Sequence, residues 1–360
     1  MRVQFGKPII NKADENAVIA ALRQRQLTNG PRVVEFEKAF ENFAGGGVAV
    51  AVSSCMAALH ISCLMCVRPG DEVIVPALTH PATALAVSAA GADPIFVDVD
   101  PRTGNIDPQG IREAITNRTA AIIPVHYLGR LCDMNAINNL AREHGLVVIE
   151  DAALALGAVA RGKHAGLHGD MGCFSFYPVK HMTTGEGGMF LTKNPLLAER
   201  ARRMRSFGKD TEGRFADLGL NYRMTEMQAA LGITQLARQT NWLGRRQNNY
   251  SILVEHLKDF ERIDSSGGSH YAMTLFPPDG VNRDTVRDAM HSRWVETSVY
   301  YNPVVPLTPY YMDLGYALGD FPHAERIALK SLCLSVGPHL ARDQLAFEIE
   351  QFKDAVRETA

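Results

Sequence analysis

No charge of either sign dominates this sequence of 360 residues, in which 37 Lys and Arg stand against 39 Asp and Glu. No run of basic residues occurs either, so nucleic acid and membrane surfaces are not expected partners, and a small molecule is. The N-terminus from Met1 to Pro8 lacks the apolar core of a signal peptide. The six cysteines (Cys55, Cys63, Cys66, Cys132, Cys173 and Cys333) lie mostly in apolar stretches. Cys63 and Cys66 have the spacing of a redox or metal pair but lack a second pair of ligands, so no metal is expected. They read as reduced, buried thiols in a cytosolic protein. Residues 43–67 contain no Asp, Glu, Lys or Arg, a length that could cross a bilayer. The alternation of Val48 to Val52, followed by Ser53 and Ser54, divides that stretch into a strand and a helix instead. Internal repeats and low-complexity tracts are also missing.

What is present is ample apolar material, 46% hydrophobic against 21% charged residues. A chain of this length is expected to form a large domain, 1–240, and a smaller C-terminal one, 241–360. Helical spacing covers 14–25 and 31–44, the second opening on Pro31 at the first helical position. Strands at 48–52, 73–75, 94–97, 121–125 and 146–150 then alternate with helices at 56–67, 82–90, 108–116 and 134–144. This alternation predicts an α/β fold, a mostly parallel sheet sandwiched by helices. Such sheets bind ligands beyond the carboxyl ends of their strands. Two more strands, 172–176 and 189–192, precede helices at 196–205 and 224–236 and a long helix at 241–260 placed to connect domains. Strands at 271–276 and 295–301, with helices at 284–293 and 341–357, make the remainder a small α+β domain.

The candidate chemistry sits at strand ends. The uncharged run 172–176 stops at Pro178, delivers Lys180, and meets the glycines Gly185, Gly187 and Gly188. Burial among apolar and aromatic neighbours disfavours an ammonium, and a neutral amine can form a Schiff base with an aldehyde. By itself Lys180 reads better as a loop lysine at a solvated edge. Ser54 to Ala57 joins a strand to a helix, where free backbone N–H groups suit a phosphate, or where Ser54 merely caps the helix. The strand 147–151 ends in Glu150 and Asp151, followed by Ala152 and Ala153, small enough for a flat ring to approach. A carboxylate there can hold a proton on a pyridine nitrogen and make a bound pyridoxal ring an electron sink, or it can cap the next turn. Asn221 and Arg223 precede the helix opening at about Thr225, as site residues or as ordinary loop residues. Separately these signals are weak; together they fit one cofactor.

In this order the segments resemble the DegT/StrS-type sugar aminotransferases, pyridoxal-phosphate (PLP) enzymes of the aspartate-aminotransferase fold, fold type I. The matching stretches are 28–31, 70–76, Phe96 to Asp98, Glu150 to Ala153, Phe174 to Lys180 with Gly185 to Gly188, and Gly219 to Met224, within a resemblance covering about two-thirds of the chain. The resemblance implies Lys180 as the Schiff-base lysine and Asp151 as the partner of the pyridine nitrogen. It implies Ser175 and the amides of Met56 and Ala57 on the phosphate, His80 in the place of the aromatic residue that stacks on the ring, and Asn221 reaching the phosphate of a neighbouring subunit. A homodimer with shared active sites follows, with Thr28, Glu186, Arg223 and Tyr301 on the substrate side. Four positions depart from the family's pattern. Ser54-Cys55-Met56 replaces Ser-Gly-Thr, His80 is smaller than the usual aromatic, Leu154 replaces a Gln or His that bonds the cofactor's ring oxygen, and Val304 and Val305 follow Pro303 where a His is usual.

The reading that results is a cytoplasmic aminotransferase moving an amino group from a donor, L-glutamate, to a nucleotide-linked keto-sugar for amino-sugar biosynthesis. Two alternatives stay open at this point. Related sugar dehydratases carry a histidine at the lysine position, and here His181 follows Lys180. A regulatory protein that binds the cofactor without turnover is the other, suggested by Met56 and Leu154.

Overall fold

The computed structural model describes residues 1–359. Seven strands make the central sheet, β1 (Val48–Val52), β2 (Glu72–Pro76), β3 (Asp93–Val97), β4 (Thr119–Ile122), β5 (Val147–Asp151), β8 (Met171–Ser175) and β9 (Gly188–Thr192). Between β5 and β8 lies a short hairpin, β6 (Val159–Ala160) and β7 (Lys163–His164). The spatial order is β1-β9-β8-β5-β4-β2-β3. β9 runs antiparallel to both its neighbours, and the other six run parallel. Helices Cys55–Cys66, Pro81–Ala89, Pro108–Ala114 and Met134–His144 connect the parallel strands, as the alternation of patterns predicted.

Period-two alternation sends successive residues of a strand to opposite faces. In β1, Val50 and Val52 join the core packed by helix Cys55–Cys66. Ala49 and Ala51 join the opposite core, with Phe36 and Phe40 of helix Pro31–Ala44 and with Phe174 of β8. That helix begins with a remote cap: the buried Glu226 carboxylate accepts the amides of Gly30, Arg32 and Val33 at 2.9, 2.9 and 3.2 Å. These donors have no partner within the helix, and a carboxylate at its N-terminus also meets the favourable end of the helix dipole.

The helix Gln239–His256 leads to a second core, where β10 (Ala272–Leu275) pairs antiparallel with β11 (Leu332–Ser335) under helix Arg342–Thr359. Val3 packs there with Leu253, Leu275, Leu334 and Phe352. The strand expected at 295–301 does not form. Single bridges join Val295 to Val3 and Ser298 to Cys333. The Glu296 N–H belongs to the first bridge, on the Val3 carbonyl at 2.9 Å, and the next amide, Thr297 N–H, turns to His291 Nε2 at 3.1 Å, so no continuous ladder develops. β11 and helix Pro322–Lys330 were not anticipated. Among the described residues no helix is long and apolar enough to cross a membrane.

Glu348 on the last helix is fully buried; its Oε1 accepts the Ser335 amide at 2.9 Å, and its Oε2 has no partner among the described residues. Burial pushes its carboxyl up from 4.5 to about 8, opposed by the Ser335 hydrogen bond. Between those values the unfolded chain has released this proton and the folded chain keeps it, so the unfolded state binds fewer protons and stability falls as pH rises. Thermal melts across that window should therefore decline more steeply for the wild type than for Glu348→Gln. Equal slopes would show that Glu348 is already ionised in the fold.

Candidate active site

Three strands bring the first group of side chains to one row. Gly188 opens β9 and stands between Val52 of β1 and Ser175 of β8. A Cβ at position 188 would lie 2.4 Å from the Ser54 carbonyl carbon and 2.6 Å from the Cys55 nitrogen. Glycine is therefore what lets β9 lie against the turn between β1 and helix Cys55–Cys66. Ser54 caps this helix, its Oγ accepting the Ala57 amide at 3.0 Å. The Cys55 and Met56 amides belong to the same first turn, where no intrahelical acceptor exists. Of the two amides expected on a phosphate, that of Ala57 thus already serves the cap. Ser175 is half-buried beside Gly188, its Oγ 3.4 Å from the Tyr177 nitrogen.

Asp151 ends β5, one strand over, and is 5% exposed. Its Oδ2 accepts the Thr83 hydroxyl at 2.8 Å and its Oδ1 the Ala153 amide at 3.1 Å, and Thr83 is linked in turn to Thr79 at 2.8 Å. Each carboxylate oxygen can accept another hydrogen bond. Thr83 was not foreseen, because a threonine inside an Ala-rich helix carries no pattern that distinguishes it from helix filler. His80 caps that same helix, accepting the Ala82 amide at its Nδ1 at 3.2 Å, and meets the Tyr301 ring edge-on at 5.6 Å. Lys180 follows a turn closed by its amide on the Tyr177 carbonyl, with its Nζ 5.3 Å from the centre of the Tyr271 ring.

The electrostatics place these groups in one field. Burial lowers the His80 pKa, the Lys180 charge lowers it further, and Asp151 opposes both. Burial raises the Cys55 thiol, Asp151 adds to that, and Lys180 opposes. Burial, with Tyr271 and Asp151, holds the Tyr301 phenol above its usual range. His80, Asp151, Lys180 and Tyr301 thus converge, with Cys55 and Tyr271 joining them unannounced by the sequence. Leu154 is buried in the main apolar core, where Ser269 Oγ reaches its carbonyl at 3.3 Å. His181 turns elsewhere: its ring is buried, with Nε2 on the Ser269 carbonyl at 3.2 Å, and does not take the place of Lys180.

Thr28, Glu186, Asn221 and Arg223 lie along an adjoining edge. Thr28 bridges Thr225, and Gln228 Nε2 donates to the Glu186 carbonyl at 2.7 Å. Arg223 bridges Val52 at the end of β1, donates to Asn221 Oδ1 at 3.1 Å, and stacks over Phe207 at 4.7 Å. Asn221 itself is exposed. Among the described residues no cluster of His, Cys, Asp or Glu is placed to hold a metal.

Residues 8–352 match the DegT/DnrJ/EryC1/StrS aminotransferase family. GDP-perosamine synthase of Caulobacter vibrioides is 44% identical over 322 residues, 86% of this chain and 87% of that protein. The dTDP-3-amino-3,4,6-trideoxy-alpha-D-glucose transaminase of Streptomyces venezuelae is 37% identical over 358 residues, 97% of this chain and 93% of that protein. In structure, Spr1654 of Streptococcus pneumoniae, solved in its PLP form, superposes with a TM-score of 0.95 at 25% identity, covering 100% of both chains.

Two substitutions separate the roles of Asp151 and its support. Asp151→Asn should retain the fold and lose turnover on the order of a hundredfold or more, since an amide stabilises a neighbouring cation far less than a carboxylate does. Thr83→Val deletes one hydrogen bond to that carboxylate and should cost about tenfold. Steady-state turnover of both variants checks the ranking, and a Thr83→Val loss equal to that of Asp151→Asn would contradict it.

Proposed function

We propose, for a chain that belongs to the DegT/DnrJ/EryC1/StrS aminotransferase family, transfer of an amino group from L-glutamate to a nucleotide-linked keto-sugar. The enzyme is a pyridoxal-phosphate-dependent sugar aminotransferase. The observation that carries this reading is the convergence of a lysine, a buried carboxylate with acceptor capacity to spare, and the N-terminus of helix Cys55–Cys66. Relatives named for GDP- and dTDP-linked sugars support a nucleotide-linked acceptor here. The glutamate donor rests on the family resemblance.

The residues fit the cofactor. The Cys55 and Met56 amides, which have no acceptor within the helix, and the Ser175 hydroxyl would hold a phosphate at the helix N-terminus. Asp151, fixed by Thr83 and Ala153, would accept the pyridine N–H. When bound, pyridoxal phosphate supplies a conjugated ring that takes up the electrons released at the donor's α-carbon. Lys180 would hold the cofactor through its Nζ. With its Nζ free, Lys180 would be the base that takes up the proton from the donor's α-carbon. The same amine would return a proton when the amino group passes to the ketone. His80 and Tyr301, in edge-on contact at 5.6 Å, would flank the ring.

We further propose a homodimer in which Asn221 completes the neighbouring phosphate site. Exposed Phe207, Phe215, Leu218 and Tyr177 (41%, 76%, 59% and 47%) surround that edge, an apolar surface suited to a partner subunit. Six free thiols suit a cytoplasmic location.

Borohydride reduction of the holoenzyme followed by peptide mapping should place the label on Lys180, and Lys180→Ala should lose both label and turnover. Label on any other lysine would overturn the assignment. A screen of keto-sugar nucleotides with nitrogen-labelled L-glutamate, read by mass spectrometry, should give one aminated product. If no amino donor alters the cofactor's absorption, the protein binds the cofactor without turnover and the reading fails.

A further inference from the structure

Residues Pro178 to Thr183 form one wall of a small, partly open cavity of about 20 Å³, lined also by the N-terminal strap Phe5 to Ile9, by Arg246, and by Tyr271. That volume is enough for one water, which needs about 10–15 Å³ and two to four polar partners. Two lining residues each bury a polar atom with no partner, His181 Nδ1 and Arg246 Nε. Their chemistry is complementary. His181 Nε2 lies 3.2 Å from the Ser269 carbonyl and must carry the ring proton to donate there. Burial, and then the Arg246 charge, hold the ring neutral, so Nδ1 offers a lone pair. Arg246 gives Nη1 to the carbonyls of His270 and Tyr271 at 3.3 and 3.0 Å and pairs with no carboxylate among the described residues, so its Nε–H is left to donate.

We propose that one water occupies this cavity, accepting from Arg246 Nε–H and donating to His181 Nδ1, and that these two residues act as positioning residues for Lys180. The inference rests on Lys180 being the Schiff-base lysine. A halide would answer the Arg246 charge but bring no hydrogen to His181 Nδ1, so water is the ligand both atoms accept. With it in place the peptide after Lys180 is fixed from three directions. Gln239 Nε2 donates to the His181 carbonyl at 3.2 Å, Ser269 holds the ring, and Arg246 holds it through the water. The Tyr271 hydroxyl donates to the Val179 carbonyl at 3.3 Å, and its ring lies under both Lys180 Nζ at 5.3 Å and the Arg246 guanidinium at 5.9 Å. The strap packs against this segment at Gly6, where a Cβ would come within 2.9 Å of the Val179 Cβ. Lys180 is thereby held at a set place by helix Gln239–His256 and by the approach to β10.

The test compares two cofactor forms on cofactor-free protein. Pyridoxal phosphate bonds to Lys180; pyridoxamine phosphate occupies the same site without that bond. His181→Phe keeps the ring and removes both nitrogens, and Arg246→Lys keeps the charge and moves the donor. Both variants should lose about tenfold in pyridoxal phosphate affinity and hold pyridoxamine phosphate within about twofold. Parallel loss of both forms, or loss of neither, overturns the positioning role. A high-resolution crystal structure of the wild type should show one water within hydrogen-bond reach of both atoms, and an empty cavity, or a bromide taken up there with an anomalous signal, overturns the assignment even if the variants fail to fold. Borohydride label on another lysine of the wild type would instead remove the underlying assignment of Lys180, whichever way the affinities fall.

Discussion

β5 ends in two adjacent buried carboxylates, and the rest of the site depends on how differently they are treated. A strand turns neighbouring residues to opposite faces, so Glu150 and Asp151 cannot share an environment. Glu150 is saturated: it takes the amides of Gly166, His168 and Gly169 at 2.8, 2.7 and 2.6 Å and His126 Nε2 at 2.9 Å. His126 Nδ1 accepts the Cys132 amide at 3.2 Å, so its proton sits on Nε2 and goes to Glu150. One charge thereby closes the loops that follow β4 and β7. Leaving it unpaired would cost on the order of 3–5 kcal/mol, as for any buried ionic partner removed. Asp151 receives two donors, which orient it and leave lone pairs for a ligand. The structural carboxylate fixes the strand end, and the functional one inherits its precision.

The reversal of β9 is the second constraint. A parallel sheet alone would carry Lys180 away from the phosphate side, because a crossover helix would have to follow β8. Turning back after Lys180 and inserting β9 between β8 and β1 places Gly188 beside both Ser175 and the turn at Ser54. The lysine and the helix N-terminus are brought together by one antiparallel strand, whose first residue has to lack a side chain.

Most of the α/β alternation was legible because apolar strands and helices of ordinary length were separated by Pro and Gly turns, as at Pro69 and Gly70. The strand expected at 295–301 was misread for the same reason in reverse. Val295, Val299 and Tyr301 carry a β-like pattern, but the amides of Val295, Glu296 and Thr297 go one at a time to Met290, Val3 and His291, partners remote in sequence or in a preceding helix. Lys180 and Asp151 could be picked out because they end apolar runs. Thr83, Tyr271 and Arg246 could not, since each acts through a contact made only in the folded chain. Thr83 looks like helix filler and Arg246 like one of two arginines in a polar stretch.

The same contrast explains why cofactor class is better specified than substrate. The groups suited to the cofactor come from β1, the helix after β2, β5, β8 and the turn before β9, and each is fixed by a backbone bond or by a buried partner. Exchanging one of them disturbs packing as well as chemistry, so the set constrains what can bind. Thr28, Asn221 and Arg223 instead lie on an edge where Asn221 is exposed and where large apolar side chains face outward. Side chains at such an edge can change with little cost to the fold. An acceptor that met this tolerant rim, completed by a second subunit, would let specificity vary while the buried carboxylate, lysine and helix N-terminus stay as they are.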